Sequence, residues 1–135
     1  MIKLVYGAKG SGKTKRIIES ANDAAINSKG DVVYITDIQK HSVEIKHTVK
    51  FVNFKEYGVC SPVEAIGFLK GVLSANHDIT EVFIDGFARM TNQQIADMEN
   101  EYKLLEALSA QEKTDFILTV SADEKDLPKF LLKFI

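Results

Sequence analysis

The sequence predicts an α/β fold in three layers, a mostly parallel sheet of about five strands with helices on both faces. Two observations predict it. Apolar runs of strand length alternate with segments of helical periodicity along the whole chain, and no internal repeat or low-complexity linker interrupts them. A length of 135 residues with only two prolines suits one domain spanning 1–135, large enough to bury a substantial core.

Each element has its own signal. Ile2 to Tyr6 is a strand candidate that leads straight into glycines. Lys13 to about Asn27 reads as a helix with Ile17, Ile18, Ala21, Ala24 and Ala25 on its apolar face, and Gly30 in "SKGD" is a stop. "DVVYIT" (Asp31 to Thr36) has the β-branched content of a buried strand, and "VKFVNF" (Val49 to Phe54) is a shorter one. Ser61, Pro62 and Glu64 form a capping box with a permitted proline, so a helix starts at Pro62. "EVFID" is the next strand, ending at Asp85. Thr91 and Gln94 repeat the capping spacing, which predicts a helix from about Asn92 to Lys113. "DFILTV" (Asp115 to Val120) is the last strand. Leu127, Phe130, Leu131 and Phe134 then share one helical face, either packed on the sheet or offered, with Ile135, to a partner or second subunit. Strand order is not readable from these local signals.

Composition narrows the function classes. A net charge of −2 implies no global attraction to nucleic acid or to an anionic membrane. The densest basic cluster is Lys9, Lys13, Lys15 and Arg16, around the glycines. The single Cys60 cannot form an internal disulfide and reads as a reduced thiol. His41 and His47 flank "SVEIK" without a partner at ligand spacing. No signal peptide or membrane-spanning run is apparent, so a cytoplasmic protein is expected.

The segment "YGAKGSGKTK" carries the chemistry. Gly7, Gly12, Lys13 and Thr14 satisfy G-x-x-x-x-G-K-[ST] between a predicted strand and a predicted helix. By chance such a match arises in roughly one chain in two hundred of this size. Glycines let several N–H groups converge on one anion, and a helix N-terminus adds unpaired N–H groups and partial positive charge. Candidate phosphate-binding residues are Gly7, Ala8, Lys9, Gly10, Ser11, Gly12, Lys13, Thr14 and Lys15. Lys13 reaches terminal phosphates as a point charge, and the Thr14 hydroxyl can hold Mg²⁺. Such a site wants a carboxylate at the end of a neighbouring strand, and Asp85 supplies one unless it merely caps a helix or a turn.

With these two motifs the chain resembles the P-loop NTPase superfamily: "GAKGSGKT" is similar to its first phosphate motif and "VFID" to its second. The resemblance implies the P-loop NTPase fold and, in the recombinase-like branch, a strand between the loop strand and the metal-organising strand. It assigns 115–120 to that place. That branch usually carries a glutamate directly after the metal-organising aspartate, where this chain has Gly86. By the same resemblance Asp37, ending "VVYITD", is a water-polarising base or a turn residue. Ser121 is a γ-phosphate sensor or a cap of the next turn. The chain also resembles small bacterial proteins labelled as twitching-motility, pilus-retraction-like ATPases, though it is too short for the motor's N-terminal domain.

The expectation is Mg²⁺-dependent binding of a nucleoside triphosphate with slow hydrolysis. ATP is expected, since no guanine-reading N/T-K-x-D motif is present. A switch or partner-binding module without turnover is the alternative, favoured by the missing glutamate. A small phosphotransferase is a third, disfavoured because Arg16 and Arg89 are the only arginines for a closing lid. Arg89 itself is expected in a surface ion pair or on a phosphate.

Overall fold

Side chains of a strand alternate between the two faces of its sheet, so a strand covered on both faces must be apolar nearly throughout. The runs VVYI and VFI meet that demand. In the computed structural model, which describes residues Met1–Ile135, five strands form one parallel sheet. They are β1 (Ile2–Gly7), β2 (Asp31–Thr36), β3 (Lys50–Asn53), β4 (Ile79–Asp85) and β5 (Asp115–Ser121). Their order is β1-β5-β4-β2-β3. The last strand in sequence therefore lies between β1 and β4, with Gly7 opposite Ser121 and Ile84 opposite Leu118. Thr36 of β2 stands opposite Asp85.

Helices cover both faces, as the alternating pattern requires. On one face α1 (Lys13–Asn27) packs Ile17, Ile18, Ala21 and Ala24 against Val32, Tyr34, Phe83 and Ile117, helped by Ile45 and Val49 from the segment after β2. On the other face Val33, Ile35, Val82, Ile84, Phe116 and Leu118 meet α2 (Pro62–Ala75), α3 (Phe87–Thr91) and α4 (Glu99–Glu112). The α2 start follows its signal. Ser61 Oγ accepts from the Glu64 amide at 3.2 Å, and Glu64 Oε1 accepts from the Cys60 amide at 3.0 Å.

Two expectations are corrected. In place of one helix over 92–113 there is a short helix before it, α3, then a turn, a 3₁₀ segment (Ile95–Asp97) and α4. Gly86 enters the left-handed region at φ 106 and starts α3 directly after β4, which buries Phe87 and Met90 fully. Asn92, at φ 56, then ends it. Thr91 caps nothing: it is buried and its hydroxyl donates back to the Ala88 carbonyl at 3.2 Å. The C-terminal stripe forms 3₁₀ turns (Glu124–Asp126 and Lys129–Phe134), where side chains three apart align. Leu127 and Leu131 are buried, and the Phe130 and Phe134 rings each lie 6.1 Å from Tyr102 of α4. The stripe thus packs largely on the core, and of its residues only Ile135 is exposed. No helix is long and apolar enough to cross a membrane.

Candidate functional site

Because the strands all run one way, the segments leaving β1, β2, β4 and β5 gather at one end of the sheet. β1 leaves into α1 on one face, while β4 and β5 leave into segments packed on the other. In open α/β sheets that divergence opens a crevice at the carboxyl ends of the strands, where ligands bind. Most of the candidate residues named from sequence lie along this crest.

The loop between β1 and α1 is shaped by left-handed glycines. Gly10 has φ 85, and Gly12, the residue before α1, has φ 88. No side chain caps α1, so its first amides keep their donors free for a ligand. At Gly7 a Cβ would meet Ser11 Oγ, so a larger residue there would make the Ser11 side chain shift. Ala8, Lys9, Gly10, Ser11, Gly12 and Lys15 are exposed. Lys13 differs from them. Only 9% of it is exposed, and its Nζ folds back to donate to the Ala8 carbonyl at 3.1 Å. Burial lowers its pKa, the Asp85 carboxylate opposes that shift, and Arg16 adds to it.

Asp85 lies next to this loop with its carboxylate held by hydroxyls. Thr14 Oγ1 donates to Oδ2 at 3.0 Å, and Thr119 Oγ1 donates to Oδ1 at 2.8 Å. Thr119 in turn accepts from the Gly86 amide at 3.2 Å. The carboxylate caps no helix, since Gly86 precedes α3 without a side-chain cap. Asp85 is 4% exposed and has no ion-pair partner, an arrangement that a cation would stabilise. The Thr14 hydroxyl and Asp85 set two hard oxygen donors side by side, which fits Mg²⁺. No cluster of three acidic, His or Cys residues surrounds them, so protein side chains by themselves would not complete the coordination of such an ion.

Asp37, at the end of β2, is already engaged. Arg89 grips it through Nε at 3.2 and 3.0 Å and through Nη2 at 2.8 Å, and also donates to the Asp85 carbonyl at 3.3 Å. The pair raises the Arg89 pKa, chiefly through the hydrogen bonds to Asp37. Arg89 is thus in an ion pair, and Asp37 is its partner. Ser121 is exposed at the end of β5 opposite Gly7, and the following 3₁₀ turn is preceded by Asp123 rather than by Ser121. A hollow of about 50 Å³ brings Ser121 together with Gly86, Arg89 and Thr119.

Three features escaped the sequence reading. Thr119 has a usable signal, a polar residue inside the buried run FILTV. The pairing of Arg89 with Asp37 has none, since 52 residues separate them. Tyr34 reads as one more strand residue, yet it is fully buried and its hydroxyl has no hydrogen-bond partner. Burial raises its pKa, and the Asp85 and Glu44 carboxylates push the same way while Arg89 opposes them. The largest hollow, about 870 Å³, lies away from this crest, between α1 and the open side of β1.

Compared with protein-family models and with curated proteins, the chain matches none.

Proposed function

We propose that the chain is a P-loop nucleotide-binding protein that takes a nucleoside triphosphate, ATP by expectation, together with Mg²⁺, and hydrolyses it slowly. One observation carries the reading: the hydrogen bond from Thr14 to Asp85, which joins the first residues of α1 to the end of β4 directly beside the glycine loop. The loop amides and the uncapped start of α1 would receive the phosphates. Lys13 would exchange the Ala8 carbonyl for the β and γ oxygens, a stronger partner for a partly desolvated ammonium. Thr14 and Asp85 would release each other to hold the ion. When bound, Mg²⁺ neutralises charge on the phosphoryl oxygens. Ser121, opposite Gly7, would read the γ-phosphate.

Hydrolysis needs an oriented water, and Asp37 is the candidate base. Its engagement by Arg89 favours slow turnover and supports a second reading, a nucleotide-dependent switch without turnover. Titration calorimetry with the magnesium complex of a non-hydrolysable ATP analogue tests the reading. Lys13→Ala should weaken binding by about 30- to 1,000-fold, the loss of one charge-assisted phosphate contact of about 2–4 kcal/mol. Chelation of magnesium should also weaken it. Equal affinity in wild type and variant would remove the proposal. Phosphate release from ATP by the wild type separates slow hydrolysis from the switch.

A further inference from the structure

We propose that Tyr34 is a positioning residue of this site, its hydroxyl donating to a water that Asp85 also holds in the shell of the bound cation. The inference rests on the nucleotide reading above and adds a residue which that reading does not use. Tyr34 is 0% exposed, yet its hydroxyl is buried with no hydrogen-bond partner in the protein. A buried hydroxyl without a partner is unfavourable, and phenylalanine would fill the same space without that burden. Its place in the sheet supplies a reason for it.

Strand alternation puts Tyr34 and Thr36 on one face of β2, and Thr36 is registered against Asp85. That face is the one α1 covers, where Thr14 reaches Asp85. The ring is clamped. It stacks on Phe51 with centroids 5.9 Å apart and 15° between planes, and it shares an apolar cluster with Ile17 and Ile18. The charged groups whose fields reach the phenol are Asp85, Glu44 and Arg89, the first being the proposed metal-organising carboxylate. The ring is therefore fixed on the sheet face that carries Asp85, two residues along β2 from the position opposite that carboxylate, whose own partners are two hydroxyls. A water shared by Tyr34 and Asp85 would satisfy the phenol, and a cation would order that water.

Tyr34→Phe is the test, with two measurements on the intact chain. The first is the thermal midpoint of the ligand-free protein, which should stay level or rise because an unsatisfied hydroxyl is removed. The second is the affinity for a non-hydrolysable ATP analogue with magnesium and with EDTA. Binding with magnesium should weaken by about 3- to 15-fold, the size of one net hydrogen bond to a charged group's water shell, with binding in EDTA unchanged. A fall in the ligand-free midpoint, or an equal loss with and without magnesium, would assign the hydroxyl a purely structural role and overturn the inference. Unchanged magnesium-dependent affinity would overturn it as well while sparing the nucleotide reading. Wild-type protein that binds neither form would sink both together.

Discussion

Arg89→Ala, combined with Asp37→Ala in a double-mutant cycle, measures the contact that holds the candidate base. Three hydrogen bonds of 3.2, 3.0 and 2.8 Å join the two side chains in a forked geometry. Arg89 is 49% exposed and Asp37 19% exposed, so the pair stands between two limits. An exposed pair contributes about 0–1 kcal/mol, and breaking a fully buried one costs about 3–5 kcal/mol. Solvent reaches the guanidinium from one side, which places the coupling at about 1.5 kcal/mol. At about 2.1 cal/mol/K per residue the chain's unfolding entropy is about 0.28 kcal/mol/K, so a loss of this size lowers the midpoint by about 5 °C. Urea and thermal unfolding of the wild type, both single variants and the double variant give the coupling. A value below about 0.3 kcal/mol would refute the geometry as an energetic contact. Basal phosphate release should rise in Arg89→Ala, because the freed carboxylate then meets water. A fall would place Arg89 on the phosphate instead.

Other consequences are independent of nucleotide. Ser61→Ala removes the α2 cap held at 3.2 Å and should cost about 1 kcal/mol in urea unfolding. Glu64, whose pKa is lowered chiefly by the Cys60 amide and then by Ser61, adds stability above its ordinary value of 4.5. That contribution disappears as pH falls through the lowered value, so wild type and Glu64→Gln should converge in acid and differ at neutral pH. Leu105→Ala empties a fully buried position of α4 against the sheet and should cost about 2–5 kcal/mol by the same assay.

The strands, α1 and α2 were legible because their signals are local. β-branched runs, the glycines of the loop and the Ser61–Glu64 box each act over a few consecutive residues. The 92–113 stretch misled for a matching reason. Its capping spacing is genuine, but burial of Phe87, Met90 and Thr91 outweighs it, and Gly86 tolerates the φ of 106 that brings them in. A Cβ at Gly86 would also press on Arg89, 2.6 Å from Cζ, so the same glycine makes room for the grip on Asp37. The loop and Asp85 were legible as separate motifs, whereas their joining through Thr14 was not.

By itself the sequence determined a glycine-rich turn between an apolar strand and a helix, a carboxylate closing another strand, and alternation enough for a two-faced parallel sheet. Backbone freedom and side-chain alternation are properties of neighbouring residues, so they survive reading one stretch at a time. Tertiary structure alone decided that Thr14 and Thr119 grasp Asp85, that Arg89 holds Asp37, and that the Tyr34 hydroxyl is left without a partner. These depend on strand order and register, which the packing of the whole core selects and no short segment encodes.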